Sequence, residues 1–189
     1  MLYRISNSDS LRFVSEYVLQ HFENPANQGN KEKRRRHKKA RYFYDKYFND
    51  LRIRGLTEAQ KRVASVATYS AAYGIAAEEG LCQAWASDVV AIAGYDRDRS
   101  PSAEASAKSY GISEDFSKIP VGAAVYGHSS SKYGHVGIYV GNGQVYHNVG
   151  GVQVDTLEYW IANYRGFCWG WLGGTDLSKV TDEKLPSTK

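Results

Sequence analysis

Three side chains in this sequence could together perform nucleophilic catalysis, although they lie far apart along the chain. Cys82 begins a predicted helix, where unpaired backbone N–H groups and a nearby imidazolium would favour the reactive thiolate. His135 and His147 lie twelve positions apart in a segment whose pattern indicates a β-hairpin. One imidazole could remove the proton of the thiol while the other orients the first. We therefore predict a nucleophilic triad of Cys82, His135 and His147.

Whether the two histidines can meet depends on the loop of the hairpin GHVGIYVGNGQVYHN, residues 134–148. If residues 141–143 form a three-residue loop, Gly137 pairs with His147 and both imidazoles lie on one face of the hairpin. If residues 142–143 alone form the loop, His147 points to the opposite face. The predicted triad requires both rings on one face.

Other interpretations of these residues stay open. A cysteine at the start of a buried helix is more often inert packing than a nucleophile. His128, in a Ser-rich loop, is a second candidate base. Asn148 could replace His147 as the third member of the triad if the strand register shifts by one residue. Cys168, in the apolar segment GFCWGWL, is expected in the core.

Helices are predicted in the first part of the chain and strands in the second. Thr57 and Gln60 form a capping-box pattern at the start of one helix. The segment LCQAWASDVVAIAG predicts a buried helix that begins near Cys82 and ends before Gly94, and a short helix is expected over residues 103–110. The later β-type runs are VGAAVY, HVGIYV, QVYHN, VQVDT and GFCWGWL. Helices followed by an antiparallel sheet define the α+β class.

The N-terminal third of the chain differs from the rest in charge. Residues 1–60 hold 13 Lys/Arg and 7 Asp/Glu, a net charge of +6, whereas residues 61–189 hold 11 and 13, a net charge of −2. We predict a basic helical extension over residues 1–56, a compact domain over residues 57–175 and a flexible tail over residues 176–189. Seven cations of the extension could contact an anionic polymer: Lys31, Lys33, Arg34, Arg35, Arg36, Lys38 and Lys39.

Composition bounds the class of protein. A content of 42% hydrophobic and 23% charged residues is typical of globular proteins, and the longest apolar run, VVAIA, is too short to cross a bilayer. The first residues lack the pattern of a secretory signal, so we expect a chain made and held in the cytoplasm. Two cysteines are too few for a disulfide scaffold, and free thiols are expected. The segment DRDRS lacks the pattern of a calcium loop, and we predict no metal and no cofactor.

The residues around the predicted triad resemble the NlpC-type cell-wall peptidases, with the CHAP amidohydrolases as near relatives in the papain-like group. The resemblance covers about residues 60–174 and rests on a cysteine that begins a helix and on the segments GHVGIYVGNG, VYHN and GFCWGWLGG. It implies a papain-like core, with the nucleophile helix packed on an antiparallel sheet, and hydrolysis of amide bonds in peptidoglycan stem peptides. Cys82 would be the nucleophile, His135 the general base and His147 the polar third member. Action on the wall would require release by lysis or a dedicated secretion system.

The segment around the nucleophile departs from the family pattern. NlpC-type proteins typically have Asp-Cys-Ser-Gly, in which the Asp and Ser help bind the free amino end of the stem peptide, whereas this chain has LCQA at residues 81–84. The resemblance implies substrate contacts from Gln83, Gly134 and one of two upstream tyrosines, Tyr69 or Tyr73. The altered motif favours a second hypothesis, a thiol amidase or transferase that acts on a non-wall protein. The basic extension leaves a third open, a catalytically silent module that binds an anionic polymer.

Overall fold

The computed structural model describes residues 55–128 and 131–181. Within these ranges the α-helices α1 to α4 are Glu58–Thr68, Cys82–Ile92, Ala103–Tyr110 and Leu157–Asn163. None of the helices in these ranges is long and apolar enough to span a bilayer. Residues 1–54 of the predicted extension, with its seven cations, lie outside the described residues, as do residues 182–189 of the predicted tail.

In the described part of the chain, six strands form one antiparallel sheet in the order β1-β6-β2-β3-β4-β5. From β1 to β6 the strands are Gly111–Ser113, Ala124–Gly127, His135–Gly141, Gln144–Asn148, Val152–Thr156 and Gly166–Gly170. The predicted α+β class is confirmed, and the five predicted strand segments correspond to β2–β6. The short strand β1 is an addition, because its three residues pair with β6 in an irregular register that no sequence pattern indicates.

Helix α4 is absent from the sequence-based prediction, which passes directly from β5 to β6. Thr156 ends β5 and caps α4, since its hydroxyl accepts a hydrogen bond from the N–H of Tyr159 at 3.0 Å. The helix has seven residues, of which only Trp160 is buried. Leu157, Trp160 and Ile161 stand at helical spacing after the Thr156 N-cap, so the signal was present in the sequence, but it covers only two turns between two β-type runs and was missed.

Helices cover both faces of the central strands. Helices α1 and α2 contact β3, in which Val136 and Val140 are fully buried. Because side chains alternate along a strand, Val145 of β4 lies on the other face, where it packs with Val125 and with Trp160 of α4. Helix α2 thus packs on an antiparallel sheet, as expected for a papain-like core.

The predicted capping box at the start of α1 is confirmed, and its threonine also contacts the C-terminal end of the domain. The hydroxyl of Thr57 accepts from the N–H of Gln60 at 3.1 Å and donates to the carbonyl oxygen of Leu177 at 2.6 Å. The side chain of Leu177 is buried, and Leu177–Lys179 forms a short 3-10 helix. Leu177 therefore anchors the start of the predicted tail to the domain.

The β3–β4 hairpin turns through two residues. Gly141 pairs with Gln144, and the loop residues Asn142 and Gly143 have φ angles of 51° and 69°. Positive φ at both loop positions is the geometry of a type I′ turn, whose twist matches that of paired strands. This is the loop length that by itself would turn His147 away from the other histidine.

A β-bulge in β3, between the loop and the histidines, shifts the pairing of β3 with β4 by one residue. One extra residue of β3 lies between the pairs formed by Tyr139 and by Gly141. Gly137 is consequently opposite His147, as in the three-residue alternative. The expectation that loop length alone decides the face was wrong, because the bulge compensates for the shorter loop.

We predict that Gly137→Ala destabilises the domain, because this position has no room for a methyl group. A Cβ atom there would lie 2.6 Å from Val145 Cγ1, 2.9 Å from the carbonyl oxygen of Tyr146 and 3.0 Å from Trp160 Cη2. Overpacking of this kind costs about 1–3 kcal/mol of unfolding free energy, measurable by urea denaturation. Gly151→Ala is the matched control, since a Cβ at Gly151 meets nothing within 4 Å. Equal unfolding midpoints for the two variants would contradict the prediction.

Candidate active site

A cavity of about 790 Å³ brings together residues that are distant in sequence. Its lining comes from the start of α2, the loop before α3, the segment before β3 and the end of β4, and it includes Cys82, Gln83, Gly134 and His135. His147 lies behind His135 and is fully buried. The lining that the described residues form does not include Tyr69 or Tyr73, so their substrate contacts stay a prediction.

Cys82 is the first residue of α2, and its side chain is partly buried. The N-cap residue Leu81 makes no side-chain hydrogen bond to the helix. Backbone N–H groups of Val136, Gln83 and Cys82 itself interact with the thiol and favour its thiolate, but burial of the sulfur outweighs them and raises the pKa of Cys82 above its ordinary value. The expectation that the helix terminus and a charged histidine lower this pKa was wrong, because it neglected desolvation.

His135 is a neutral base at physiological pH. The pKa of His135 is lowered from the ordinary 6.5 to about 4. Burial is the larger cause of this shift, and the neighbouring His147 is the smaller one. The thiol of Cys82 and the imidazole of His135, which line the same cavity, are therefore both neutral in the resting protein.

The two imidazoles contact each other directly, and a carboxylate continues the chain of contacts. His135 Nε2 lies 2.9 Å from His147 Nδ1, and His147 Nε2 lies 2.9 Å from Asp155 Oδ2. Burial lowers the pKa of His147, although Asp155 opposes this shift. His147 is thus neutral at physiological pH and carries one ring proton.

The contacts favour one position for each ring proton. His147 Nε2 lies at ion-pair distance from Asp155, although the contact is not aligned as a hydrogen bond, and a proton on Nε2 avoids two facing lone pairs there. In that tautomer His147 accepts through Nδ1 and His135 donates from its own Nε2. This leaves Nδ1 of His135 unprotonated and free to accept the proton of the thiol.

Aromatic rings fix the orientation of the histidine pair. The ring of Trp160 stacks on that of His135, with centroids 5.1 Å apart and planes 18° apart, and meets the ring of His147 edge-on at 5.0 Å. Tyr164 contacts the His135 ring at 4.8 Å. Helix α4 thus supplies the wall that excludes water from behind the imidazoles, which is the physical origin of their lowered pKa values.

Sequence reasoning missed Asp155, Trp160 and Tyr164. Asp155 was placed on a predicted strand, VQVDT, but the register of β5 against β4 was unknown. The observed pairing of Val145 with Asp155 puts the carboxylate on the same face as His147. An acidic residue on the strand that follows a histidine-bearing strand was the available signal.

The two rival residues take other roles. His128 is exposed, and its ring stacks on Phe167 with centroids 4.5 Å apart. Asn148 lines the cavity, but its Nδ2 donates to the carbonyl oxygen of Glu78 at 2.7 Å. Its Oδ1 accepts from the N–H groups of the next two glycines at 3.0 Å and 3.2 Å. Cys168 is free and buried, as expected for a core residue.

A family model matches the part of the chain that contains this site. The model of the NlpC/P60 family covers residues 72–168, which is just over half of the 189 residues. The matched segment holds Cys82, both histidines of the pair and Asp155. No curated protein matches the chain. The family resemblance predicted from the sequence is confirmed, whereas the likeness to the CHAP group stays a prediction.

We predict that His135 titrates near pH 4, because burial penalises its charged form. The unfolded chain binds this proton near pH 6.5, so the unfolding free energy should fall as the pH decreases from 6.5 to 4. Nitrogen-15 NMR of the imidazoles measures the midpoint, and a histidine in a short peptide is the reference. A midpoint near 6.5 would show that the ring is solvated.

We predict that Asp155→Asn disturbs the proton positions of the histidine pair. Without the carboxylate charge, His147 loses the partner that keeps its proton on Nε2, and His135 becomes a weaker base. Imidazole NMR should show a mixture of His147 tautomers, and alkylation of Cys82 by iodoacetamide at pH 7 should slow by about tenfold, the equivalent of one pKa unit. Glu158→Gln removes an exposed carboxylate from α4 and is the control. Unchanged tautomers in Asp155→Asn would refute the assigned chain of contacts.

Proposed function

This chain belongs to the NlpC/P60 family, whose members are generally cysteine peptidases and amidases, and from that premise we propose that it hydrolyses amide bonds in bacterial cell-wall peptidoglycan. Cys82 is the nucleophile, His135 the general base and His147 the residue that orients the base. The observation that supports this assignment most strongly is the 2.9 Å contact between the two imidazoles, one of which shares a cavity with Cys82. An inert core would have no need of two neutral imidazoles in direct edge-to-face contact.

In the proposed first step, His135 Nδ1 accepts the proton of the thiol while the sulfur attacks the carbonyl carbon of the amide. The oxyanion that forms is stabilised by backbone N–H groups at the start of α2, which the helix leaves unpaired. His135 then donates its proton to the nitrogen of the leaving amine. The carbon–nitrogen bond breaks, and the acyl group remains on Cys82 as a thioester.

In the second step, a water molecule attacks the thioester. His135 accepts a proton from this water, and the resulting tetrahedral intermediate collapses with release of a carboxylic acid as His135 returns that proton to the departing sulfur of Cys82. His147 holds the ring of His135 throughout by accepting a hydrogen bond from its Nε2. Asp155 stabilises the positive charge that the pair carries in each transition state.

The substrate end of the site differs from the family pattern. Gln83 takes the place of the family's serine, and its Nε2 donates to Asp98 Oδ2 at 2.6 Å and to Ser87 Oγ at 3.2 Å. It faces the protein rather than the solvent, with 8% of its surface exposed. Leu81 takes the place of the family's aspartate, so the free amino end of a stem peptide lacks its usual acidic partner at that position, and we propose a different mode of peptide binding.

A second candidate function is that of a thiol amidase or transferase acting on a non-wall protein. Leu81 and Tyr133 line the cavity with 47% and 58% of their surfaces exposed. An exposed apolar rim beside a nucleophile suits a protein segment as well as a wall peptide. The third candidate, a silent module that binds an anionic polymer, depends on the basic run at residues 31–39, which lies outside the described residues.

We predict that the full chain releases muropeptides and new amino ends from purified peptidoglycan, and that Cys82→Ala abolishes this activity. Loss of the nucleophile should reduce the rate at least about a thousandfold, because no other group can form the thioester. Cys168→Ala is the matched control and should retain activity. Cleavage of model proteins without release from peptidoglycan would favour the second candidate. The absence of product from either substrate would favour the third.

A further inference from the structure

The segment DRDRS, residues 96–100, reaches the cavity of the candidate active site although the proposed mechanism does not use it. Arg97, Asp98, Arg99 and Ser100 all belong to the cavity lining. They form part of the loop that joins α2 to α3.

Asp98 anchors this loop to the nucleophile helix. Only 3% of its surface is exposed. Oδ2 accepts hydrogen bonds from Gln83 Nε2 at 2.6 Å and from Ser106 Oγ at 2.5 Å, and Oδ1 accepts from the N–H of Ser100 at 2.8 Å. Because Gln83 directly follows Cys82, the carboxylate ties the loop to the residue next to the nucleophile. The loop is therefore held in one position relative to the thiol.

The two arginines flank the buried carboxylate and are exposed. Arg97 is partly neutralised, since its Nη2 lies 2.8 Å from Asp88 Oδ1. Among the described residues, no carboxylate lies within ion-pair distance of the Arg99 guanidinium. Asp98 does not serve that purpose, because its oxygens already accept three hydrogen bonds. Arg99 thus offers an unused cation to whatever enters the cavity.

The cavity lining also contains an acidic residue, Glu79, on a different side from the arginines. Glu79 belongs to the segment before α2, and its side chain lies near Gly150, in the turn that follows β4. The cavity consequently has a basic side at the loop before α3 and an acidic side near the end of β4. Cys82 and His135 are part of the same lining. A ligand that spans the cavity meets charges of opposite sign.

We propose that Arg99, assisted by Arg97, is a specificity-determining residue that binds a carboxylate of the substrate near the amide to be cut. This proposal rests on the proposed function and names its substrate class: peptides with a free carboxylate beside the scissile amide, rather than the same peptides with a carboxamide there. A guanidinium binds a carboxylate through two parallel hydrogen bonds, which fixes direction as well as position. The rigid loop would supply that position without ordering on binding.

The first experiment needs no natural substrate. Cys82 of the full chain is alkylated at pH 8 with iodoacetate, which is anionic, and with iodoacetamide, which is neutral and of similar size. Both reagents lose iodide to the sulfur and leave a thioether, which mass spectrometry locates on the Cys82 peptide. Arg99→Gln should slow iodoacetate by about three- to tenfold, the effect of one cation several ångströms away, and leave iodoacetamide within about twofold.

Arg165→Gln is the control for this experiment, because Arg165 is exposed and outside the cavity lining. It should leave the ratio of the two alkylation rates at the value of the unchanged chain. Arg99→Glu should lower that ratio further than Arg99→Gln does. An equal ratio in all four proteins, or an equal fall in Arg99→Gln and Arg165→Gln, overturns the proposal.

The second experiment uses a pair of synthetic stem peptides that differ only in a free carboxylate or a carboxamide beside the scissile amide. The unchanged chain should prefer the carboxylate, and Arg99→Gln should lose that preference through a higher KM with similar kcat. If the alkylation ratio depends on Arg99 but neither peptide is cut, the anionic subsite stands and peptidoglycan hydrolysis fails. If both peptides are cut equally by both proteins, the subsite fails and the hydrolase stands.

Discussion

The contact between His135 Nε2 and His147 Nδ1 is the interaction on which the rest of the site depends. It requires two side chains on adjacent strands to share one face, and the bulge before Gly141 produces that register. It also requires close approach at Gly137, where even a methyl group would collide with its neighbours. The backbone of one hairpin therefore determines whether the base has a partner at all.

Burial sets the electrostatics of this pair. Trp160 and Tyr164 cover the imidazoles and make protonation of either ring unfavourable, while the partial burial of Cys82 makes its ionisation unfavourable. A charged thiolate–imidazolium pair would cost free energy in the resting state, so in the proposed mechanism the two charges arise together when a substrate fills the cavity. Asp155 at the far end of the chain of contacts lowers the cost of the positive charge when it appears.

Most helices and strands of the domain could be predicted from local sequence patterns, whereas the contacts within the candidate site could be predicted only in part. The capping box at Thr57, the helix that begins at Cys82 and the strands from β2 to β6 each have a short-range signal that the structure confirms. The register of β5 and the orientation of α4 depend on tertiary packing, and these decide the roles of Asp155 and Trp160. The pKa of Cys82 could not be obtained from helix position, because burial is a property of the whole domain.

The hydrogen bond from Thr57 to the carbonyl oxygen of Leu177 joins two points 120 residues apart in the chain. The first turn of α1 and the last described 3-10 helix therefore meet at one corner of the domain. A circularly permuted chain, with a short linker across this corner and new ends opened in an exposed loop elsewhere, would keep every strand pairing of the sheet. The architecture of this domain would then not depend on the order in which its helices and strands are synthesised.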